Sequence, residues 1–290
     1  MKYEERVVAF IDVLGFKSLL GETVNSDGKD NEEAIDRIIS AYNFIREIWD
    51  LDKPNNSSER KTSESKQVSI FSDCIVISFK AHDPSEVFWT LLEIKSLIMR
   101  LLWGGMLCRG AVSLGKFIHT PQYLFGPALV EAYLLESKAA LYPRVILDRP
   151  IIEAGAKHHA IHHTSSMEEE YLVSLLEQDS DGMYFIDYFY KAQEELDDPT
   201  YDFPAYINNL KEIIGKGLMG SSHPSRADLR VKFSWMRERF NRMVETVHKS
   251  SFIEKLESSG EFELAMAYKK IKPISPRRDI TIKTRRKPPS

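Results

Sequence analysis

RVVAFIDVLGF, residues 6–16, decides how the rest of the chain is read. Between Arg6 and Asp12 every residue is apolar, and valine, isoleucine and phenylalanine dominate. Such a run reads as a strand buried on both faces, with Gly15 as the breaker just after it. Some fifty residues on, VSIFSDCIVISFK (68–80) reads as two short strands turning at Ser72-Asp73. Between these strands, Ile35, Ile38, Tyr42, Ile45 and Trp49 share one helical face, so a helix is expected over Glu32–Trp49. The polar stretch 52–66 then reads as a loop.

Working outward, Asp83-Pro84-Ser85-Glu86 has the composition of a helix start, with Asp83 as cap and Glu86 completing a capping box. That helix is expected to end at Gly104-Gly105, followed by a strand in MLCRGAVSLGKFI (106–118), a helix over 127–139 and a strand at Val145–Asp148. The order β-α-β-β-α-β with a further α-β predicts an α/β (α+β) fold of ferredoxin-like type with an extra edge. Beyond residue 150 the expectations are a strand at 183–189, a helix around 204–215 and a long amphipathic helix over Asp228–His248. The predicted organisation is a catalytic core over 1–150, a helical extension over 151–268 and a basic, flexible tail over 269–290.

Composition narrows the function. A formal net charge of -4 argues against a nucleic-acid binder held by bulk charge. No segment approaches the ~20 apolar residues of a membrane span. Cys74 and Cys108 sit in apolar stretches, which fits a reducing compartment, and a cytoplasmic location is expected.

The chemistry is expected at Asp12 and Asp73. A carboxylate closing a buried strand must face solvent, a partner or a metal. In a β-α-β-β core the first strand and the following hairpin are neighbours, so the two carboxylates can converge at the sheet's edge. Paired carboxylates with nearby backbone carbonyls suit Mg²⁺ or Mn²⁺. The alternative is that Asp12 only starts a turn and Asp73 only serves the hairpin. Gly15-Phe16-Lys17 opens a short helix whose N–H groups can cradle phosphate oxygens. Lys232 and Arg237 are read either as a positive patch for pyrophosphate or as the solvated face of a helix. Arg144 is read as structural, and Trp49, Trp89 and Trp235 as core residues. The histidines between His158 and His163 lack ligand partners at zinc spacing and read as surface.

These motifs carry a resemblance. FIDVLGF (10–16) resembles the metal-binding strand and loop of class III nucleotide cyclases, and FSDCIVIS (71–78) resembles their second aspartate hairpin. CRGAVSLG (108–115) and FGPALVEAYLLES (125–137) resemble the following strand and the dimer seam. The resemblance implies Asp12, the Val13 carbonyl and Asp73 as ligands of two divalent metals, Mn²⁺ or Mg²⁺, and Arg109 as a triphosphate contact. It places Ser69 and Tyr123 where adenylyl cyclases read the base with lysine and aspartate, and Val130 and Leu134 where they carry an asparagine and an arginine. RGAVSLG, FGPALVEAYLLES, YPRVILD and DGMYFIDYF together are similar to the pyrimidine cyclases of the bacterial Pycsar anti-phage systems. That likeness implies UTP or CTP as substrate, a homodimer, and a separate effector that senses the cyclic product. A purine cyclase and a catalytically inactive nucleotide-binding module remain the alternatives.

Overall fold

A computed structural model of the chain describes residues 2–49, 51 and 65–275. The expected loop at 52–66 and the C-terminal residues 276–290 lie largely outside the described residues. Strand β1 (Glu4–Leu14) is an inner strand of the sheet, between β3 and β4. Helices α1 (Phe16–Glu22) and α2 (Glu32–Ile48) lead to the hairpin β2 (Gln67–Phe71) and β3 (Cys74–Lys80). Helix α3 (Glu86–Trp103) then crosses to β4 (Leu107–His119), which pairs with the short β5 (Leu124–Phe125). The order β2-β3-β1-β4, with β1 antiparallel to both neighbours, is the split β-α-β arrangement expected from the sequence.

Helix α4 (Pro127–Lys138) precedes β6 (Val145–Leu147), which runs parallel to β4. After α5 (Arg149–Lys157) and α6 (Ser165–Ser174) come β7 (Leu176–Gln178) and β8 (Tyr184–Ile186), which extend the same sheet in the order β6-β8-β7. The C-terminal portion, expected to be a helical extension with one strand at 183–189, therefore contributes two strands. Helices α7 (Phe203–Gly220), α8 (Ala227–Lys249), α9 (Phe252–Ser258) and α10 (Phe262–Lys270) complete the chain. Lys269 and Lys270, assigned to the tail, close α10 instead, and Ile271 behind them is buried.

The parity of β1 explains its unbroken apolar run. Val7, Ala9, Ile11 and Val13 join the large core under α2 and α3. Val8 and Phe10 face the opposite side, where they pack with Val76, Phe117, Ala128 and Ala132 beneath α4. Asp12 follows on that second face, at the end of the strand.

Three local expectations change. Helix α3 begins at Glu86, after Ser85 in a left-handed conformation, and no side chain caps it. Glu86 is buried and pairs with Lys66 at 2.5 Å, so it does not complete a capping box. Trp89 is half exposed, while Trp49 and Trp235 are buried. The strand expected over 183–189 stops at Ile186, because the Asp187 carboxylate accepts hydrogen bonds from the Phe189 and Lys191 amides and turns the chain.

Candidate active site

Register brings the acidic residues together. Asp12 lies opposite Cys74 on β3 and opposite Arg109 on β4. The Val13 amide donates to the Asp73 carbonyl at 2.9 Å, which ties the end of β1 to the hairpin turn. In a strand the N–H and C=O of one residue point to the same neighbour, so the Val13 carbonyl faces the turn as well. Ligand atoms of Asp12, Asp73 and Cys74 all lie within 4.8 Å of one another, and each residue is half-buried. Among the described residues this is the one such cluster.

The turn is held from below. The Tyr42 hydroxyl on α2 donates to the Ser72 carbonyl at 2.6 Å, and the Phe16 ring packs edge-on against Tyr42. Phe16, expected to bind substrate, is buried in the core and supports the turn through Tyr42. Only its backbone remains beside the site. Gly15 takes φ +79° as the first residue before α1, a conformation that favours glycine. Lys17 is exposed on that helix.

Burial and then the Asp73 charge raise the pKa of Asp12, against the lowering effect of Arg109 and Lys232. Two carboxylates forced together in a half-buried place favour a bound cation. Burial and then both aspartates push the Cys74 thiol up to about 12, so it stays protonated at neutral pH. The donor set is therefore two carboxylates and backbone carbonyls, which fits a hard divalent ion such as Mg²⁺ or Mn²⁺.

Arg109 is not free. Its Nε lies 3.7 Å from Asp12 Oδ2 and pairs with Glu136 on α4. Glu136 is almost fully buried, and its pKa is raised by burial, with Arg109 acting against that rise. Sequence reading missed this residue. The available signal was spacing: Ala128, Ala132 and Glu136 fall four apart and are the three buried residues of α4.

Ser69 and Tyr123 do not join the acidic pair. Ser69 shares a hydrogen-bond chain with His119, Ser78 and Arg6 on the same sheet face. Arg6 Nε can only donate, at 3.0 Å to Ser78 Oγ. The Ser78 hydroxyl also lies 2.9 Å from His119 Nδ1. His119 Nε2 lies 2.9 Å from Ser69 Oγ, and which ring nitrogen donates depends on the tautomer. Burial and then Arg6 depress the His119 pKa to about 4, which keeps the ring neutral. Tyr123 stands half exposed in the turn between β4 and β5, where its amide bonds to Thr120. Val130 and Leu134 are exposed on α4 beside Tyr133.

The remaining candidates separate. Arg144 is fully buried and bonded to Asp179 and Asp181, the structural role expected of it. Arg237 lines a groove beside Asp179 and Trp235. Lys232 lines a different one, of about 660 Å³, together with Leu14, Gly15, Leu107 and Pro143.

No helix among the described residues is long and apolar enough to cross a membrane. No family model matches the chain, and no curated protein matches it in sequence. Among solved structures it is similar to a class III adenylyl cyclase-like ATP-binding protein from Pseudomonas aeruginosa, at 10% identity and a TM-score of 0.34. That likeness covers 59% of this chain and 40% of the other, so the chain spans about two fifths of that neighbour's length. A likeness at that level assigns no family.

Proposed function

We propose that the chain is a class III-type nucleotide cyclase that converts UTP to 3′,5′-cyclic UMP and pyrophosphate. The observation that carries the reading is the convergence of Asp12 and Asp73 at one edge of a β2-β3-β1-β4 sheet, beside the Gly15 turn. In this reading Asp12, the Val13 carbonyl and Asp73 hold two divalent metals, Mn²⁺ or Mg²⁺. Bound there, the metals supply Lewis-acid stabilisation to the attacking oxygen and to the leaving phosphates.

The chain's own residues do the rest. Asp12 and Asp73 would hold a cation beside the ribose 3′-hydroxyl, where it would ease loss of that proton to solvent water. The 3′-oxygen then bonds to the α-phosphorus as the bridge to the β-phosphate breaks, and pyrophosphate leaves. Arg109, held by Glu136, fixes the orientation of Asp12. The Gly15-Phe16-Lys17 turn offers backbone N–H groups to the phosphates. Ser69 and Tyr123 contact the base, and a homodimer brings them to the acidic pair of the partner. Support for the dimer comes from Val130, Tyr133 and Leu134, apolar side chains exposed together on α4. The biological setting that fits is a cytoplasmic second-messenger enzyme of bacterial antiviral defence, with a separate effector for the product.

A second reading has a specific observation behind it. With Arg109 engaged by Glu136, and no lysine–aspartate pair at positions 69 and 123, the chain could bind a triphosphate without turning it over. Incubation with each of the four triphosphates and Mn²⁺, with products identified by mass, separates the readings. Cyclic UMP supports the proposal, another cyclic nucleotide corrects the base, and intact substrate refutes the cyclase. Light scattering on the same sample tests the dimer.

A further inference from the structure

Asp12 and Glu136 both lie beside the guanidinium of Arg109, and Asp73 adds a third carboxylate next to Asp12. The divalent metals of the proposed reading would offset the aspartates, while a polyphosphate chain that extends past them needs a cation of its own. The groove next to the site is the place to look. It begins at Leu14 and Gly15, where β1 ends, and its far wall is formed by α7 and α8. Three cations line it: Arg37, Lys216 and Lys232. Arg37 pairs with Glu22 at 3.7 Å and Lys216 with Glu212 at 2.6 Å. Among the described residues Lys232 has no ion pair. It shares that groove with Leu14 and Gly15, the residues that follow Asp12 and Val13 at the end of β1.

Helix α8 holds Lys232 in that position from both sides. One residue on, Phe233 fits over Gly217 of α7 so closely that a Cβ there would lie 2.2 Å from the ring. Three residues on, Trp235 stacks on Tyr142 with ring planes 4° apart and donates to Asp179 at 2.8 Å. Pro143, next to Tyr142, lines the same groove as Lys232. The lysine is thus half-buried on a fixed helix, outside the split β-α-β unit that carries the aspartates.

We infer that Lys232 is the cation that receives the phosphate chain of the substrate, contributed by the C-terminal portion to the site built by β1 and β3. The inference rests on the cyclase reading for the identity of the substrate, but the contact itself is with a polyphosphate. A lysine suits this role as a compact charge with three donors that can follow the phosphates as the leaving group departs.

The test measures binding as well as turnover. Pyrophosphate is titrated calorimetrically into the Mn²⁺-loaded wild type, Lys232→Met and Lys232→Arg, with circular dichroism confirming that each is folded. Lys232→Met should weaken pyrophosphate binding about tenfold or more, the value of a charge-assisted contact. Lys232→Arg should stay within a few-fold of wild type. The KM for the triphosphate should rise in Lys232→Met while Mn²⁺ affinity is unchanged. Pyrophosphate affinity in Lys232→Met within twofold of a binding wild type overturns the inference and leaves the cyclase reading intact. Loss of pyrophosphate binding without a cyclic product from any triphosphate supports the contact and refutes the cyclase. A wild type that binds no pyrophosphate refutes the inference outright.

Discussion

Asp179→Asn should destabilise the protein by about 3 kcal/mol, and the structure supplies the reasons. Asp179 is 7% exposed and accepts five hydrogen bonds, from Arg144 at 2.6 Å, the Ser180 amide at 2.7 Å, the Ser180 hydroxyl at 3.3 Å, Trp235 at 2.8 Å and Arg239. Burial alone raises its pKa, but the bonds from Ser180 and Trp235 and the charges of Arg239 and Arg144 outweigh it, so the pKa lies below the usual carboxylate value. Asparagine keeps the shape and removes the charge. Two guanidiniums, Arg144 at 0% exposure and Arg239 at 6%, then lose their shared counter-ion. Breaking a buried pair from one side costs about 3–5 kcal/mol. Arg144 keeps Asp181 and Arg239 keeps Glu177, which favours the lower end. Urea unfolding followed by circular dichroism and tryptophan fluorescence measures the loss, with an unchanged m-value. Asp181→Asn, at the exposed rim of the same cluster, is the control and should cost less than about 1 kcal/mol. If Asp179→Asn lost no more than that control, the cluster would not be what fastens α8 to β7 and β8.

Three further outcomes are expected. Mn²⁺ at about 100 times its Kd should stabilise the wild type by about 2.7 kcal/mol, several degrees in Tm, and leave Asp12→Asn and Asp73→Asn unmoved; an equal shift in either variant refutes the ligand assignment. Gly110→Ala should cost about 2 kcal/mol or more in thermal unfolding, since its Cβ would lie 2.5 Å from the Phe10 carbonyl oxygen; an unchanged Tm refutes that close approach. His119, with a folded pKa of about 4 against 6.5, contributes stability that is present above pH 6.5 and lost as pH falls towards 4, by at most about 3 kcal/mol. His119→Gln should flatten that decline in urea unfolding at pH 7.5 and 4.5, and a parallel decline refutes the assignment.

How far the sequence could be read depends on which forces act locally. The buried run at 6–12, the turn at Ser72-Asp73 and the helix after Gly126-Pro127 are fixed by residues within a few positions, and the split β-α-β order follows from their succession. The convergence of Asp12 on Asp73 follows from the same order. What stayed hidden depends on pairing at a distance. Lys66 claims Glu86, so a capping box legible at Asp83–Glu86 never forms. β7 is three residues long, too short to show a periodicity, and is a strand because β8, legible within 183–189, offers it an edge. Phe16 reads as part of a phosphate loop only while Tyr42, a partner twenty-six residues away, is out of view. Lys232 and Arg237 looked equivalent on one helix; five positions apart on α8, they line different grooves.

The two faces of β1 divide the labour between fold and site. Its odd positions are apolar from Val7 through Val13 and fasten the strand to α2 and α3. Its even positions change from apolar to acidic: Val8 and Phe10 seat α4, and Asp12 continues the same row past the end of that packing. The inner stripe of α4 mirrors the change, with Ala128 and Ala132 over Phe10 and Val8 and then Glu136 over Arg109. Small residues allow the helix to lie close, and closeness is what brings the Glu136 carboxylate down to a guanidinium in the sheet. The outer face of the same helix carries Val130, Tyr133 and Leu134, and Tyr133 reaches back edge-on to the Phe10 ring at 5.6 Å. A surface that covers those three side chains therefore bears on the helix that positions Glu136, and through Arg109 on Asp12. In the proposed dimer the interface and the acidic pair share one helix, so substitutions on the outer face of α4 are expected to change turnover even though none of those residues touches the site.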